Sequence, residues 1–214
     1  MSLKWKICGM RESQNIKDVL ALAPDFMGFI FYDKSKRYVG EGLDKSLLAS
    51  FPESTQKVGV FVNADESYIR LKISDYGLQI IQLHGEETPE FCQNFRTGGL
   101  KVIKAFAIDE SFDFDSITPY LAACDYFLFD TKAPNGYGGH GKKFNWALLN
   151  KYKHDVPFLM AGGIDLESLA AVKDLKFSAF NGIDVNSKFE QSPGLKELDQ
   201  LKILEKELSG NTKD

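Results

Sequence analysis

Two residues with reactive side chains follow short apolar runs at distant points of the chain. Cys8 ends the run WKIC, and Asp130 follows YFLF. A thiol with a pKa of about 8.5 is only a few per cent thiolate at neutral pH, so a reactive Cys8 needs a positive charge nearby. Lys6 is the candidate, because residues two apart share one face of a strand. Asp130 can act as a general acid if partial burial raises its pKa.

Each of these residues also has a simpler explanation. Cys8 can be a small apolar core side chain, and Asp130 can cap a loop. Arg37, in the basic stretch DKSKRYVG, either lies in a solvated loop or offers a planar guanidinium to a substrate carboxylate. His84, in QLHGEE, either contacts a substrate or lies at the edge of the core. The residue types alone leave these alternatives open.

Glycines near the end of the chain predict an anion site. AGGI contains Gly162 and Gly163 ahead of a helix that we expect to begin near Asp165, and NGIDVNS contains Asp184. A glycine pair by itself often makes only a tight turn, but backbone N–H groups from both stretches can converge on one phosphate. A third stretch, NGYGGHGKKF, is long enough to fold over a ligand.

The elements that must position these residues are eight apolar runs, each followed by a helical pattern. The runs are WKIC, FMGFIFY, KVGVFVN, LQIIQLHG, LKVIKAFAI, DYFLFDT, PFLMAGGI and FSAFNGIDV. They show little alternation, which is typical of parallel strands buried on both faces. This favours a single (β/α)8 TIM barrel with parallel strands over an open doubly wound sheet, and no G-x-G-x-x-G follows the first run. We expect one barrel domain over residues 1–214, with a flexible tail from about residue 209.

Helix signals between the runs support this alternation. DESYIRLKISDYG closes on Gly77, TPEFCQNFRTGG has Thr88 as a cap and Pro89 at the first helical position, and DLESLAAVKDL has an i, i+3, i+4 apolar face. In such a barrel the reactive residues lie at the C-terminal ends of strands and on the loops that follow. The predicted strand ends are Cys8, His84, Asp130, Gly162 with Gly163, and Asp184, while Arg37 lies on the loop after the second strand.

Composition excludes several classes of function. Hydrophobic residues make up 43% of the chain and charged residues 26%, as in soluble globular proteins, and the net charge of -4 argues against a nucleic-acid partner. No apolar run approaches the roughly 20 residues of a membrane span, and MSLKWK lacks the apolar core of a signal peptide. We expect a cytoplasmic protein with a small-molecule partner and no membrane contact.

The cysteines and histidines do not have the spacing of a disulfide framework or a metal site. The residues concerned are Cys8, Cys92, Cys124, His84, His140 and His154. We expect three reduced thiols, with Cys92 and Cys124 on helical segments, and no metal.

Eight motifs resemble those of phosphoribosylanthranilate isomerases, the (β/α)8 enzymes of tryptophan biosynthesis. They are KICGM, FYDKSKRY, VGVFVN, IQLHGEE, LFDTK, GGHGKKFNW, AGGI and GIDVNSKFE, in the family's order from about residue 4 to 195. The resemblance implies an Amadori rearrangement of N-(5-phosphoribosyl)anthranilate to the 1-deoxyribulose 5-phosphate product, without metal or organic cofactor.

The resemblance also implies a role for individual residues. The family's general base falls on Cys8, its general acid on Asp130, and its contact to the anthranilate carboxylate on Arg37. His84 falls in the motif IQLHGEE and is expected to bind substrate. The phosphate site matches Gly141, Gly162, Gly163, Asp184 and Asn186. Lys188, His140 and Asn145 depart from the family's common pattern: Lys188 replaces a glycine, His140 replaces a small residue in the glycine loop, and Asn145 stands where an aspartate is frequent.

Two other functions remain as rivals. The histidine-pathway isomerase is a barrel that performs the same rearrangement on a related phosphosugar, but that family has an aspartate where this chain has Cys8. A catalytically silent phosphosugar-binding barrel is the second rival, because a fold and a phosphate site do not establish chemistry. The helices show no surplus apolar face, so we expect a monomer, with a homodimer as the alternative.

Overall fold

Eight parallel strands close into a barrel in the computed structural model, which describes residues 3–132 and 144–210. The strands are β1 (Lys4–Ile7), β2 (Phe26–Ile30), β3 (Gln56–Phe61), β4 (Ile80–Leu83), β5 (Lys101–Ile108), β6 (Tyr126–Thr131), β7 (Phe158–Met160) and β8 (Phe180–Val185). Each strand pairs with the next, and β8 pairs with β1 so that Lys6 lies opposite Asp184. The predicted parallel barrel is confirmed.

The two faces of the strands build two apolar clusters. On β5, Ile103 and Ala105 belong to a small cluster inside the barrel, whereas Val102 belongs to the large cluster between the strands and the helices. Adjacent strand residues point to opposite faces, so both faces must be apolar when helices cover the outside. This double burial explains why the strand sequences show little alternation.

Helices and short 3-10 segments connect the strands. The α-helices are α1 (Ser13–Leu20), α2 (Lys45–Ala49), α3 (Glu66–Tyr76), α4 (Pro89–Thr97), α5 (Leu169–Lys173) and α6 (Leu198–Ser209). Gly77 ends α3 with a φ of 58°, and the Thr88 side chain accepts a hydrogen bond of 3.2 Å from the N–H of Phe91 at the start of α4. Both predicted helix signals are confirmed.

Two expected helices are 3-10 segments instead. Phe114–Tyr120 follows β5, and Trp146–Lys151 precedes β7. Pro119 lies inside the first segment and has no N–H for a regular helical hydrogen bond. Cys124 was predicted on a helix, but it lies in the connection between this 3-10 segment and β6. Cys92 is on α4, as expected.

The helix after β7 begins where the sequence predicts. Asp165 caps a 3-10 turn, Leu166–Ser168, through a hydrogen bond of 3.0 Å from the Ser168 N–H, and α5 continues directly from this turn. Leu169 and Val172 form the buried face of α5. The apolar spacing therefore indicates the correct face, although the regular helix is only five residues long.

A β-hairpin follows β8 and was not predicted. It consists of β9 (Glu190–Ser192) and β10 (Leu195–Lys196), which pair antiparallel before α6. Helix α6 includes Ser209, so the tail expected from about residue 209 does not include that residue, and residues 211–214 lie outside the described part. Across residues 3–132 and 144–210, no helix combines the length and the apolar character needed to span a membrane.

Candidate active site

Parallel strands bring most of the predicted site residues to one end of the barrel. Cys8 directly follows β1 and His84 directly follows β4, while Asp130 and Asp184 are the second-last residues of β6 and β8. Gly162 and Gly163 follow β7 closely. Gly141 lies outside the described residues. The predicted strand ends lie within three residues of the observed ones, and Gly163 is the furthest, three residues after Met160 at the end of β7.

Asp130 is a nearly buried carboxyl group. Asp130 is 7% exposed, and burial raises its pKa to about 7. A hydrogen bond of 2.7 Å from the Thr131 N–H to Oδ1 lowers the pKa and opposes part of this effect. The negative charge of Asp184 raises the pKa of Asp130 further, and Lys6 partly opposes it. A substantial protonated fraction near neutral pH makes Asp130 suitable as a proton donor.

His84 is a neutral imidazole beside this carboxyl group. Burial, with the positive charges of Lys104 and Lys6, lowers the pKa of His84 to about 3. Its Nδ1 lies 3.3 Å from Nε2 of Gln82, and its Nε2 lies 3.7 Å from Oδ2 of Asp130. If Nδ1 accepts from the Gln82 amide, the ring proton is on Nε2 and faces the acid. His84 therefore lies in the site, but it does not form a charged pair with Asp130.

Gln82 is a site residue that the sequence analysis missed. It is 1% exposed, and its Oε1 has no hydrogen-bond partner among the described residues. A glutamine between the apolar residues of the run LQIIQLHG is a detectable signal, because a buried amide requires partners.

Cys8 lies close to two strands. It is 4% exposed, and a Cβ built on Gly28 would lie 3.0 Å from its Sγ and 3.2 Å from Nζ of Lys6. Residue 28 therefore has to be glycine for β2 to pass so close to the thiol and the ammonium. The sequence predicted Lys6 as the neighbour of Cys8, and the two side chains do interact.

The positive charge of Lys6 does not by itself make Cys8 a thiolate. Burial raises the pKa of the Cys8 thiol, and Lys6 and Lys196 only partly offset this effect. Lys6 also donates a hydrogen bond of 3.0 Å to Oδ1 of Asp184. Burial alone would lower the pKa of Lys6, but Asp184 and Cys8 raise it, so the ammonium stays charged. The side chain of Asp184 is thus engaged by Lys6, which limits any contact of this residue with a phosphate to its backbone.

Arg37 is already paired with a carboxylate of the protein. Its Nε lies 2.9 Å from both carboxylate oxygens of Glu190, and its Nη2 lies 2.7 Å from Oε2. The solvated-loop alternative does not describe Arg37, whose side chain is only 12% exposed; Glu190 holds one edge of its fork, and the remaining N–H groups can bind a ligand. Glu190 was missed, since its hairpin brings it to Arg37 across 153 positions of sequence.

The hairpin also brings Lys196 to the site. Its Nζ donates hydrogen bonds of 2.7 Å to Oδ1 of Asn186 and to Oε1 of Glu190. Burial alone would raise the pKa of Glu190, but Arg37 and Lys196 hold it below its ordinary value. The Oδ1 atom of Asn186 is thus used within the protein, which leaves the amide nitrogen and the backbone of this residue for the predicted phosphate.

The glycines after β7 both have the left-handed backbone that favours glycine, and they leave N–H groups available. Gly162 and Gly163 have φ values of 86° and 67°, and among the described residues their N–H groups donate to no backbone carbonyl. A Cβ on Gly162 would collide with Thr131 and lie 3.0 Å from Oδ1 of Asp130. The turn is therefore next to the acid, and it can be made only by a residue without a side chain. No group of three or more potential metal ligands occurs in the described ranges.

Comparison with known proteins identifies the family. The family model described as N-(5'phosphoribosyl)anthranilate (PRA) isomerase matches residues 5–207. The N-(5'-phosphoribosyl)anthranilate isomerase of Parabacteroides distasonis is 48% identical over 198 residues, which cover 92% of this chain and 89% of that protein. The chain belongs to the PRA isomerase family. The resemblance inferred from the eight motifs is confirmed.

Solved PRA isomerase structures share the fold over nearly the whole chain. The enzyme from Thermotoga maritima is 32% identical with a TM-score of 0.85, and the match covers 97% of this chain and 99% of that one. A PRA isomerase in complex with reduced 1-(o-carboxyphenylamino)-1-deoxyribulose 5-phosphate is 28% identical with a TM-score of 0.81 and the same coverage.

Of the three departures from the PRA isomerase motif pattern, two lie in the described part. Asn145 caps the 3-10 segment before β7, because its side chain accepts a hydrogen bond of 3.1 Å from the Ala147 N–H. This is a role that an aspartate performs equally well. Lys188 is an exposed residue of a 3-10 turn after β8. His140 lies outside the described residues.

Proposed function

We propose that the protein converts N-(5-phosphoribosyl)anthranilate into 1-(2-carboxyphenylamino)-1-deoxyribulose 5-phosphate in tryptophan biosynthesis, with Asp130 as general acid and Cys8 as general base. Membership of the PRA isomerase family supports the reaction. The observation that carries the assignment of residues is the desolvated Asp130, with a pKa of about 7, at the same barrel end as a thiol that contacts Lys6.

The reaction begins with the acid. Protonated Asp130 gives its proton to the furanose ring oxygen, and the bond between C1 and this oxygen breaks. The nitrogen lone pair of the anthranilate forms a C1=N double bond, so the open sugar is a positively charged Schiff base. Burial of Asp130 supplies the protonated form, and the neutral imidazole of His84, whose Nε2 lies 3.7 Å from Oδ2, adds no positive charge that would favour the ionised form.

The base acts on the Schiff base. The Cys8 thiolate removes the proton from C2, and the electron pair of this C–H bond forms a C1=C2 bond that neutralises the nitrogen. The resulting enolamine takes up a proton at C1 and loses the C2 hydroxyl proton, which yields the ketone. Burial raises the pKa of Cys8, so the positive charges of Lys6 and of the cationic intermediate must favour the thiolate.

The remaining residues bind the two ends of the substrate. Arg37, oriented by Glu190, uses its free N–H groups for the anthranilate carboxylate. The backbone at Gly162, Gly163, Asp184 and Asn186 binds the sugar phosphate, together with Gly141. His84 contacts the substrate beside the acid. The reaction needs no metal or organic cofactor, because proton transfers account for every step.

An assay on the purified protein tests this proposal. Substrate fluorescence should disappear with many turnovers per protein molecule, and the next enzyme of the pathway, which forms the indole glycerol phosphate, should consume the product. Cys92→Ala is the matched control for Cys8→Ala, since Cys92 is a buried thiol on α4, in the apolar cluster between the strands and the helices. Stoichiometric quenching without turnover would instead indicate a silent binding barrel, and turnover of only the histidine-pathway phosphosugar would indicate the rival isomerase.

Cytoplasmic localisation and a monomeric state remain predictions. Cell fractionation checks the first, and sedimentation of the purified protein at several concentrations checks the second.

A further inference from the structure

Lys196 is a fully buried lysine outside the residues assigned to the chemistry. Its residue is 1% exposed, and its ammonium donates to Asn186 and Glu190. A lysine is almost never buried this completely unless it is paired. These two hydrogen bonds therefore hold the buried ammonium of Lys196 at a defined place in the fold.

The backbone of Lys196 is fixed as firmly as its side chain. The Lys196 N–H donates a hydrogen bond of 2.7 Å to Oδ1 of Asn15, and Nδ2 of Asn15 donates one of 3.0 Å to the Lys196 carbonyl. Asn15 lies on α1, the helix that follows β1 and Cys8. The hairpin is thus tied to the first βα unit, and the Lys196 ammonium has little freedom to leave its two acceptors.

The groups that Lys196 holds surround the start of the β1 loop. A Cβ built on Gly9 would lie 2.9 Å from Oδ1 of Asn186 and 2.7 Å from Cδ of Arg37. Glu190 joins the two cations, because its Oε1 accepts from Lys196 while both of its oxygens accept from Arg37. Removing the ammonium would leave Glu190 and Asn186 without a shared partner directly beside Cys8.

Lys196 also contributes charge to Cys8. Its positive charge lowers the pKa of the thiol, as that of Lys6 does, against burial and the negative charge of Asp184. Burial lowers the pKa of Lys196 itself to about 8, although Glu190 opposes this effect. The Lys196 contribution is therefore present below about pH 8 and is lost above it, whereas Lys6, with a raised pKa, stays charged.

We propose that Lys196 is a positioning residue of the active site, which holds Arg37 through Glu190, holds Asn186 directly, and supplies positive charge to the Cys8 thiol. The effect on Arg37 rests on the proposed function, because it assumes that Arg37 binds the substrate carboxylate. The effect on the thiol does not rest on it and can be measured without substrate.

The thiol measurement uses iodoacetamide between pH 6.5 and 9.5, with alkylation of the Cys8 peptide followed by mass spectrometry. In Lys196→Met the rate at pH 7 should fall roughly tenfold, since one nearby charge shifts a thiol pKa by about one unit. The rates of the two proteins should converge above about pH 8. Lys202→Met is the control, because Lys202 is an exposed lysine of α6 with a side chain that is 60% exposed, and its rate should equal that of the native protein.

Asp130 and Asp184 also face this site in every variant, and Lys6 stays charged in all of them, so the rate ratio isolates the effect of Lys196. A ratio that is the same at every pH would indicate a purely structural role for Lys196 and would overturn the proposal. Lys196→Arg covers the case in which the methionine variant does not fold, because a guanidinium remains charged throughout. Its rate relative to the native protein should rise as the pH passes about 8, and a constant ratio again contradicts the proposal.

The kinetic measurement addresses Arg37 separately. In the isomerase assay, Lys196→Met should raise KM about tenfold through displacement of Arg37, and Lys196→Arg should restore most of this loss. An unchanged KM together with the expected thiol profile would refute the positioning of Arg37 by Lys196, while the charge effect on Cys8 would stand. Arg37→Ala tests separately whether Arg37 itself binds the substrate carboxylate. The opposite pair of results would refute the charge effect alone.

Discussion

The acid and the base of the barrel mouth have different surroundings. On the acid side, Asp130 has a neutral imidazole 3.7 Å away and one hydrogen bond from the adjacent backbone. On the base side, Cys8 contacts Lys6, which pairs with Asp184, and the hairpin adds Lys196, paired with Glu190. Desolvation sets the pKa of the acid, whereas on the base side several charges compete with desolvation.

The difference follows from the charge that each group must carry. A carboxylic acid has to keep its proton near neutral pH, and burial without a cation at its oxygens achieves this directly. A thiol has to lose its proton, so burial works against it and buried cations are needed. Buried cations in turn require buried carboxylates as partners, and this explains why the base side holds a network of charges.

The largest effect should follow removal of the base. Cys8→Ala should reduce kcat by about ten-thousandfold, the upper end of the range for one acid or base, while a product analogue still binds. Cys92→Ala should leave kcat unchanged. Steady-state kinetics and a binding titration check this pair. Substantial turnover by Cys8→Ala would show that Cys8 is not the general base.

Asp130→Asn should reduce kcat by about a hundredfold to ten-thousandfold with little change in binding, because the amide has no proton to transfer. In the native enzyme, the contribution of the acid to kcat should decline as the pH rises through about 7, the pKa of Asp130. A pH profile of kcat for both proteins checks this expectation. A variant with nearly normal kcat would show that Asp130 is only a structural residue.

The same variant should be more stable near neutral pH. The folded pKa of Asp130, about 7, lies above an unfolded value of about 3.9, so its contribution to stability is fully present below about pH 4 and is lost as the pH rises to about 7. Removing the carboxyl group should raise the free energy of unfolding at pH 7 by up to about 4 kcal/mol, and hardly at all at pH 4. Urea titrations at the two pH values measure this difference.

Lys6→Met should have the opposite effect on stability. The substitution leaves Asp184 buried without its partner, which should cost about 3–5 kcal/mol of unfolding free energy. The double variant Lys6→Met with Asp184→Asn should regain most of this loss. Lys45→Met, at an exposed pair with Asp75, should cost about 1 kcal/mol or less. Urea denaturation of the three proteins tests the contrast with the acid side.

The smallest effect concerns substrate affinity. Arg37→Ala should raise KM roughly tenfold to 150-fold, because it removes a charge-assisted hydrogen bond of about 1.5–3 kcal/mol. Arg37→Lys should restore little, since a lysine cannot pair with Glu190 and the substrate through one planar fork. Arg11→Ala, at an exposed pair with Glu12, is the control. Unchanged affinity of Arg37→Ala for a product analogue would make the Arg37–Glu190 pair purely structural.

Sequence patterns predicted the strands and the acid side better than the base side. The apolar runs marked all eight strands, and the strand-end rule brought Cys8, His84 and Asp130 to one end of the barrel. The two 3-10 segments were predicted as α-helices, because a weak helical pattern in the sequence does not distinguish a 3-10 helix from an α-helix, even where Pro119 interrupts it. Glu190 and Lys196 were missed because contacts between distant segments produce no spacing pattern in the sequence from which they could be predicted. The sequence predicted the electrostatic partner of Cys8 only where strand periodicity supplied it, at Lys6.

The hydrogen bonds on the base side join residues that are far apart in sequence, whereas those on the acid side join near neighbours. Lys6 bonds to Asp184 across 178 positions and Asn15 to Lys196 across 181, whereas Gln82 and His84 are two positions apart and the bond to Asp130 comes from the next residue. Contacts between distant segments close large loops and form late. During synthesis, the chain must therefore reach Lys196 before the surroundings of Cys8 can assemble, even though Cys8 is among the first residues made.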